Sequence, residues 1–215
     1  MPRSRLGAAR SIFEARIDAA EQYVQRCQYS RHQTANRAGL TRDQLEWSAE
    51  LALLKLVLGS ERFCEMALTL YVLGERSPSG YRPRRLRIMN TSVREMFDVF
   101  RGDQAFVGWN SPDVIIGRAE RWLRGGEPFQ MTLSGASQLL GYLQKMRNVV
   151  AHESDSAFEK YKKATRTLYG GMPKRISPGL QLTSPPPSAI PYLLGTSLLD
   201  SAIATYRLMA NQIVP

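Results

Sequence analysis

The chain has 215 residues, with 29 Lys and Arg against 19 Asp and Glu, a formal net charge of +10, and 43% hydrophobic residues. These values exclude global disorder. Two cysteines, Cys27 and Cys64, exclude a disulfide framework and a cysteine-rich zinc module, and two histidines, His32 and His152, exclude a multi-histidine metal site. At this length one domain with terminal decorations is expected, burying roughly 70% of its unfolded surface.

The N-terminus, Met1 to Arg16, has early arginines but no apolar stretch, and acids follow at Glu14 and Asp18, so it predicts no signal peptide. The most apolar run, Leu51 to Gly59, is interrupted by Lys55 and is too short to span a bilayer. A cytoplasmic protein with reduced cysteines and no membrane partner is expected. Arginine supplies 23 of the 29 cations. Its guanidinium fork suits phosphate and carboxylate, so the charge fits a nucleic-acid partner as well as it fits a merely basic surface.

The patterning predicts an all-α chain. Residues 10–36 carry Ile12, Ile17, Ala20 and Val24 at helical spacing. Thr41 and Gln44 form a capping-box pattern that opens a second helix, running through Leu45, Leu51, Leu54, Leu58, Met66 and Leu70 to a C-capping Gly74. Gly59 lies inside it, either at a close helix contact or as a tolerated defect costing about 1 kcal/mol. Ser77-Pro78-Ser79-Gly80 is turn chemistry. Arg82, Arg84, Arg85 and Arg87 follow, four arginines in six residues. A shorter helix covers 91–101. Ser111-Pro112 starts another, ended by Gly125-Gly126. The next spans Leu133 to His152, with Leu139, Leu140, Leu143 and Met146 on its buried side. A polar helix, 155–169, precedes an irregular Pro-rich loop over 170–191. Ser197 to Ile213 is a final apolar helix. No strand signal exceeds a short hairpin.

One constellation carries chemistry: Arg147-Asn148-Val149-Val150-Ala151-His152. At about 100° per residue Asn148 and His152, roughly 400° apart, share a helix face. Arg147 lies about 140° from His152, within reach of its long side chain. Guanidinium stabilises a charged transition state at phosphorus, imidazole moves protons near neutral pH, and the amide can orient either phosphate or imidazole. This chemistry needs no metal or other cofactor. An Arg at a fixed offset before a His arises by chance in roughly one such chain in five; requiring Asn after the Arg lowers this to roughly one in two hundred. A helix-end histidine favoured by the helix dipole is the competing structural account of His152.

The segment Lys145 to His152 resembles the R-x4-6-H motif of HEPN domains. Leu53 to Phe63, with Glu61 ahead of an aromatic, is similar to the family's upstream helix. Trp109-Asn110-Ser111-Pro112-Asp113-Val114 through Pro128-Phe129 is similar to a connection in the branch related to RiboL-PSP HEPN proteins. Together these cover residues 45–210. The resemblance implies a HEPN-like helical bundle of four or more helices over 41–215, with residues 1–40 as a helical extension packed on it and additional helices beside the Pro-rich loop. It implies a homodimer whose two Arg-Asn-x3-His motifs face each other. It also implies a metal-independent endoribonuclease without cofactors, acting in toxin–antitoxin or phage-defence systems with an antitoxin or sensor protein as partner.

By that resemblance Arg147 binds the scissile phosphate, His152 is general base or acid, Asn148 orients the site, and Glu61 anchors or tunes Arg147. Glu65, one turn on along the same face, is the alternative to Glu61. Attack by a ribose 2′-OH would leave 2′,3′-cyclic phosphate and 5′-OH ends and would spare DNA. Arg82, Arg84, Arg85 and Arg87 are candidates to guide RNA, or form a solvated basic loop. The resemblance has one departure. Toxins of the family that pair with a nucleotidyltransferase often carry tyrosine two residues after the histidine, where this chain has Ser154. Trp109 and Trp122 read as core or interface; His32 and both cysteines are assigned no function. Two other readings are a non-catalytic HEPN-like module binding RNA, nucleotide or protein, and a helical adaptor in which the motif is coincidental.

Overall fold

Helix-forming residues at a period near 3.6, punctuated by Ser, Thr, Pro and Gly, dictate the architecture. In a computed structural model that describes residues 4–33, 40–102, 108, 109, 111–187 and 196–215, the fold is all-α. The described helices are α1 (Arg5–Gln33), α2 (Arg42–Val72), α3 (Val93–Arg101), α4 (Pro112–Trp122), α5 (Phe129–His152), α6 (Asp155–Tyr169), α7 (Pro178–Leu182) and α8 (Leu198–Ile213). A 3-10 turn spans Arg124–Gly126. None of the described helices is long and apolar enough to cross a membrane.

The caps explain the boundaries. Thr41 and Gln44 bond reciprocally at the start of α2, the side chain of each accepting from the other's backbone N–H at 3.2 and 2.8 Å. The α2 terminus is met by Gly74 at φ +90°, a left-handed conformation that glycine adopts without a Cβ penalty. A second capping box, Ser92 with Glu95, opens α3. It holds the Glu95 carboxyl down at about 2, chiefly through the Ser92 N–H.

Four expectations need correction. Helix α5 begins at Phe129 rather than Leu133, and the Thr132 N–H already donates to Pro128 O at 3.4 Å. Pro112 does start α4, but the Ser111 hydroxyl makes no cap bond. That helix stops when Leu123 turns extended, and the glycines, at φ +64° and +69°, shape the turn beyond it. The loop expected over 170–191 contains α7, which repeats the Ser-Pro start signal: Ser177 caps Leu180 N–H at 3.1 Å and Pro178 follows. Residues 188–191 of that loop, Asn110 and the side chain of His32 lie outside the described residues. Among the described residues the extended pairing is one isolated antiparallel bridge, Arg85 with Leu123.

The chain divides into two compact units, the first of Met1–Ala15, Gly59–Ser137 and Arg207–Pro215, the second of Arg16–Leu58 and Gln138–Tyr206. In the first unit Phe13 stacks on Phe63 with ring centroids 5.1 Å apart. Tyr71 is fully buried and donates its hydroxyl to the Ile213 carbonyl at 2.7 Å. Arg10 caps the end of α8 by donating to Val214 O at 2.9 Å.

The core of the second unit draws on Ile17, Ala20 and Val24 of α1 and on Leu139, Leu140, Leu143 and Met146 of α5, buried as their spacing predicts; on α2 it draws on Leu53 and Leu56, whereas the expected Leu51 and Leu58 are exposed and Leu54 is half-buried, and Ile12 of α1 is exposed. Gly179 of α7 lies on the backbone of α2 so closely that a Cβ would stand 2.6 Å from Glu46 O.

Gly179→Ala is therefore expected to cost about 1–3 kcal/mol, the usual size of an overpacking penalty. Gly135→Ala, exposed in α5 with nothing within 4 Å of the added methyl, is expected to gain about 0.5–1 kcal/mol. Urea unfolding of the two variants beside the wild type reads both signs.

Candidate functional site

The last turn of α5 gathers Arg147, Asn148 and His152, as the helical spacing requires. Arg147 Nη1 donates to Asn148 Oδ1 at 3.1 Å. The same Nη1 stands 3.5 Å from His152 Nε2. A guanidinium can only donate, so this approach is a hydrogen bond only with a lone pair on Nε2. Asn148 therefore holds the guanidinium rather than the imidazole. His152 is exposed, while Arg147 and Asn148 are half-buried. Arg147 Nε is buried and meets no acceptor among the described residues.

The backbone fixes this terminus. Glu153 adopts φ +45°, in the left-handed region, and donates its N–H to Val149 O at 2.9 Å. A non-glycine residue there carries about 1–2 kcal/mol of strain. Ser154 then caps α6, accepting from Ala157 N–H at 3.3 Å. The position that departs from the family pattern thus has a structural role, since it starts the next helix.

A buried polar network underlies the site. Tyr142, five residues before Arg147 on α5, donates to Gln181 Oε1 and shares a 3.0 Å hydrogen bond with Thr165. Tyr161 donates to the same Gln181 oxygen at 2.6 Å. Burial raises the pKa of both phenols, so they remain protonated donors. The periodicity marks these residues only as core positions. The bonds that join α5, α6 and α7 come from residues as distant as 142 and 181.

An acidic group also escapes the sequence pattern. Glu46, 5% exposed, accepts from Ser177 Oγ at 3.0 Å, Arg42 Nε at 3.1 Å and Arg175 Nη2 at 3.4 Å. Glu50, one turn on, accepts the Gly179 N–H at 2.8 Å. Burial raises the Glu50 pKa above the ordinary carboxyl value, against the lowering effect of that bond, and the charges of Glu46 and Glu153 add to the rise. Glu50 is thus the α2 acid that feels the residue next to His152. No local signal distinguishes it from the other helix acids.

Glu61 lies in the first unit, whereas Arg147, Asn148 and His152 lie in the second. Its charge acts on Cys64, whose thiol is pushed up to about 12, mostly by burial. Glu65 accepts from Trp109 Nε1 at 3.0 Å, and the Arg118 guanidinium sits 4.5 Å from the Trp109 ring centroid. Trp109 is buried, as its apolar setting predicts.

The arginine cluster belongs to the first unit and is largely occupied. A Cβ on Gly74 would stand 2.6 Å from Arg85 Nη1 and 2.7 Å from Arg82 Nη2. Arg85 also donates to Val72 O at 3.2 Å, so the two guanidiniums cover the carbonyl end of α2. Arg87 lies 5.7 Å over the Trp122 ring, and Arg84 is exposed. Among the described residues no group of three or more His, Cys, Asp or Glu is placed to hold a metal ion. Comparison of the chain with protein-family models, with curated proteins and with solved structures finds no match in any of the three.

Glu50→Gln keeps an oxygen to accept the Gly179 N–H and removes the disfavoured charge. The folded carboxyl binds its proton more tightly than the unfolded one, so the charge costs stability at neutral pH. That cost fades as pH falls through the folded pKa toward 4.5. Glu50→Gln is expected to raise the urea midpoint at neutral pH and to lose that advantage below the ordinary carboxyl value. A gain that stays the same at both pH values would contradict the assignment.

Proposed function

We propose that this chain is an endoribonuclease that cleaves RNA without a metal, using Arg147 and His152. The observation that carries this reading is the guanidinium held by Asn148, 3.5 Å from the imidazole Nε2, on an exposed helix end. A cation beside a proton acceptor matches what in-line attack on a phosphodiester requires. Resemblance of the Lys145–His152 segment to the HEPN motif supports the same reading.

In this mechanism His152 Nε2 takes the proton of a ribose 2′-OH. The O2′–P bond forms and the P–O5′ bond breaks. The imidazolium returns the proton to the departing O5′, leaving a 2′,3′-cyclic phosphate and a 5′-OH. Arg147 binds the non-bridging oxygens and stabilises the charge that builds on them. Asn148 keeps the guanidinium turned toward the imidazole, so truncating it should weaken the reaction without abolishing it. A substrate without a 2′-OH offers no nucleophile.

Purified wild type is expected to cut mixed RNA in EDTA and to leave cyclic phosphate ends. His152→Ala should lower the rate by about 10²–10⁴-fold, the range for losing a general acid–base group. Arg147→Ala should be at least as damaging, and DNA should stay intact. Equal cleavage by all three proteins would place the activity elsewhere; no cleavage by folded wild type would sink the nuclease reading.

A further inference from the structure

Five of the six lysines, Lys145, Lys160, Lys162, Lys163 and Lys174, fall in one stretch around and after the motif. Residues 145–175 hold eight cations and three acids, half the net charge of the chain. Helix α6 buries Tyr161, Thr165 and Leu168. At about 100° per residue, Lys160, Lys163 and Arg166 point away from that side, spaced about 4.5 Å along the axis. All three are exposed, and among the described residues their side chains make no hydrogen bond or ion pair. Two acids share this outer side: Glu159 is paired with Lys162 at 2.8 Å, and Asp155 is the exposed first residue of the helix. None of the large exposed apolar side chains lies on α6.

We propose that the outer face of α6, through Lys160, Lys163 and Arg166, is the track that holds the phosphate backbone of single-stranded RNA leading to Arg147 and His152. The inference rests on the nuclease reading and names its binding surface. Helix α6 starts three residues after His152, in the same unit. Lys160 lies roughly 8 Å along the axis from Asp155, so a strand on this face needs no detour to reach the motif. Unpaired cations at regular spacing neutralise phosphates and position a strand without reading its bases. A protein partner of acidic character would call for aromatic or aliphatic anchors among the charges, and this face has none. The arginines of 82–87 are the weaker candidate, since three of their four guanidiniums are turned onto Gly74 or Trp122.

The test is fluorescence anisotropy of a short single-stranded 2′-O-methyl RNA, which lacks the free 2′-OH and stays uncut, titrated with the full chain across salt concentrations. Replacing Lys160, Lys163 and Arg166 together by serine should weaken binding on the order of 100-fold at about 0.1 M salt. The log–log salt slope should fall by about two, at about 0.7 per phosphate contact. Lys163→Glu alone, a milder change to the folded surface, should cost roughly tenfold. A control triple of exposed arginines, Arg76→Ser, Arg94→Ser and Arg121→Ser, should bind within a few-fold of wild type. Undiminished binding by the α6 triple and by Lys163→Glu, or an equal loss in the control triple, would overturn the proposal. So would poly-glutamate binding more tightly than RNA through the same three cations. Binding that depends on α6 without cleavage in EDTA keeps the track and sinks the nuclease. Cleavage that needs Arg147 and His152 while binding ignores α6 does the reverse.

Discussion

The hydroxyl of Tyr142, buried and donating to Gln181 Oε1, is the constraint on which the candidate site depends. Tyr161 donates to the same oxygen, and Thr165 completes the set, so one amide from α7 fixes both α5 and α6. In a buried setting these bonds are costly to lose, because each orphaned partner forfeits its hydration without compensation. These bonds tie α5 to α6 and α7 at Tyr142, five residues ahead of Arg147.

The helix end itself is built with local penalties. Glu153 accepts a left-handed conformation immediately after His152, and Arg147 Nε is buried without an acceptor among the described residues. Such costs persist where the surrounding structure over-determines them. Here Ser154 starts α6 at once, and the α6 interior is tied to α5 through Tyr142 and Thr165. The tight reversal brings a cation-bearing helix directly after the motif. Charge and chemistry thus follow each other in the chain and in space.

Ionic groups divide by what they neutralise. Glu46, almost fully buried, is covered by Arg42, Arg175 and Ser177, so its charge is compensated where it is desolvated. Arg82 and Arg85 neutralise the carbonyl end of α2. Lys160, Lys163 and Arg166 face solvent with no such work inside the fold. A dense arginine run is the louder signal in the sequence. Its spacing, four in six residues around a turn, fits a backbone that must cover a helix end.

Local spacing along the chain dictates the all-α class, the helix starts at Thr41 and Pro112, the stop at Gly74, and the meeting of Arg147, Asn148 and His152. All of these follow from interactions within a few residues, where helical geometry and capping chemistry leave little choice. It also located the buried side of α5, because burial on one face imposes the apolar period. The same spacing left Asn148 free to serve either Arg147 or His152, and the structure pairs it with Arg147. Packing between elements decided that Arg82 and Arg85 close the end of α2 and that Gln181 joins Tyr142 to Tyr161. Each of these joins residues that other elements bring together, and no periodicity along one helix encodes a partner on another.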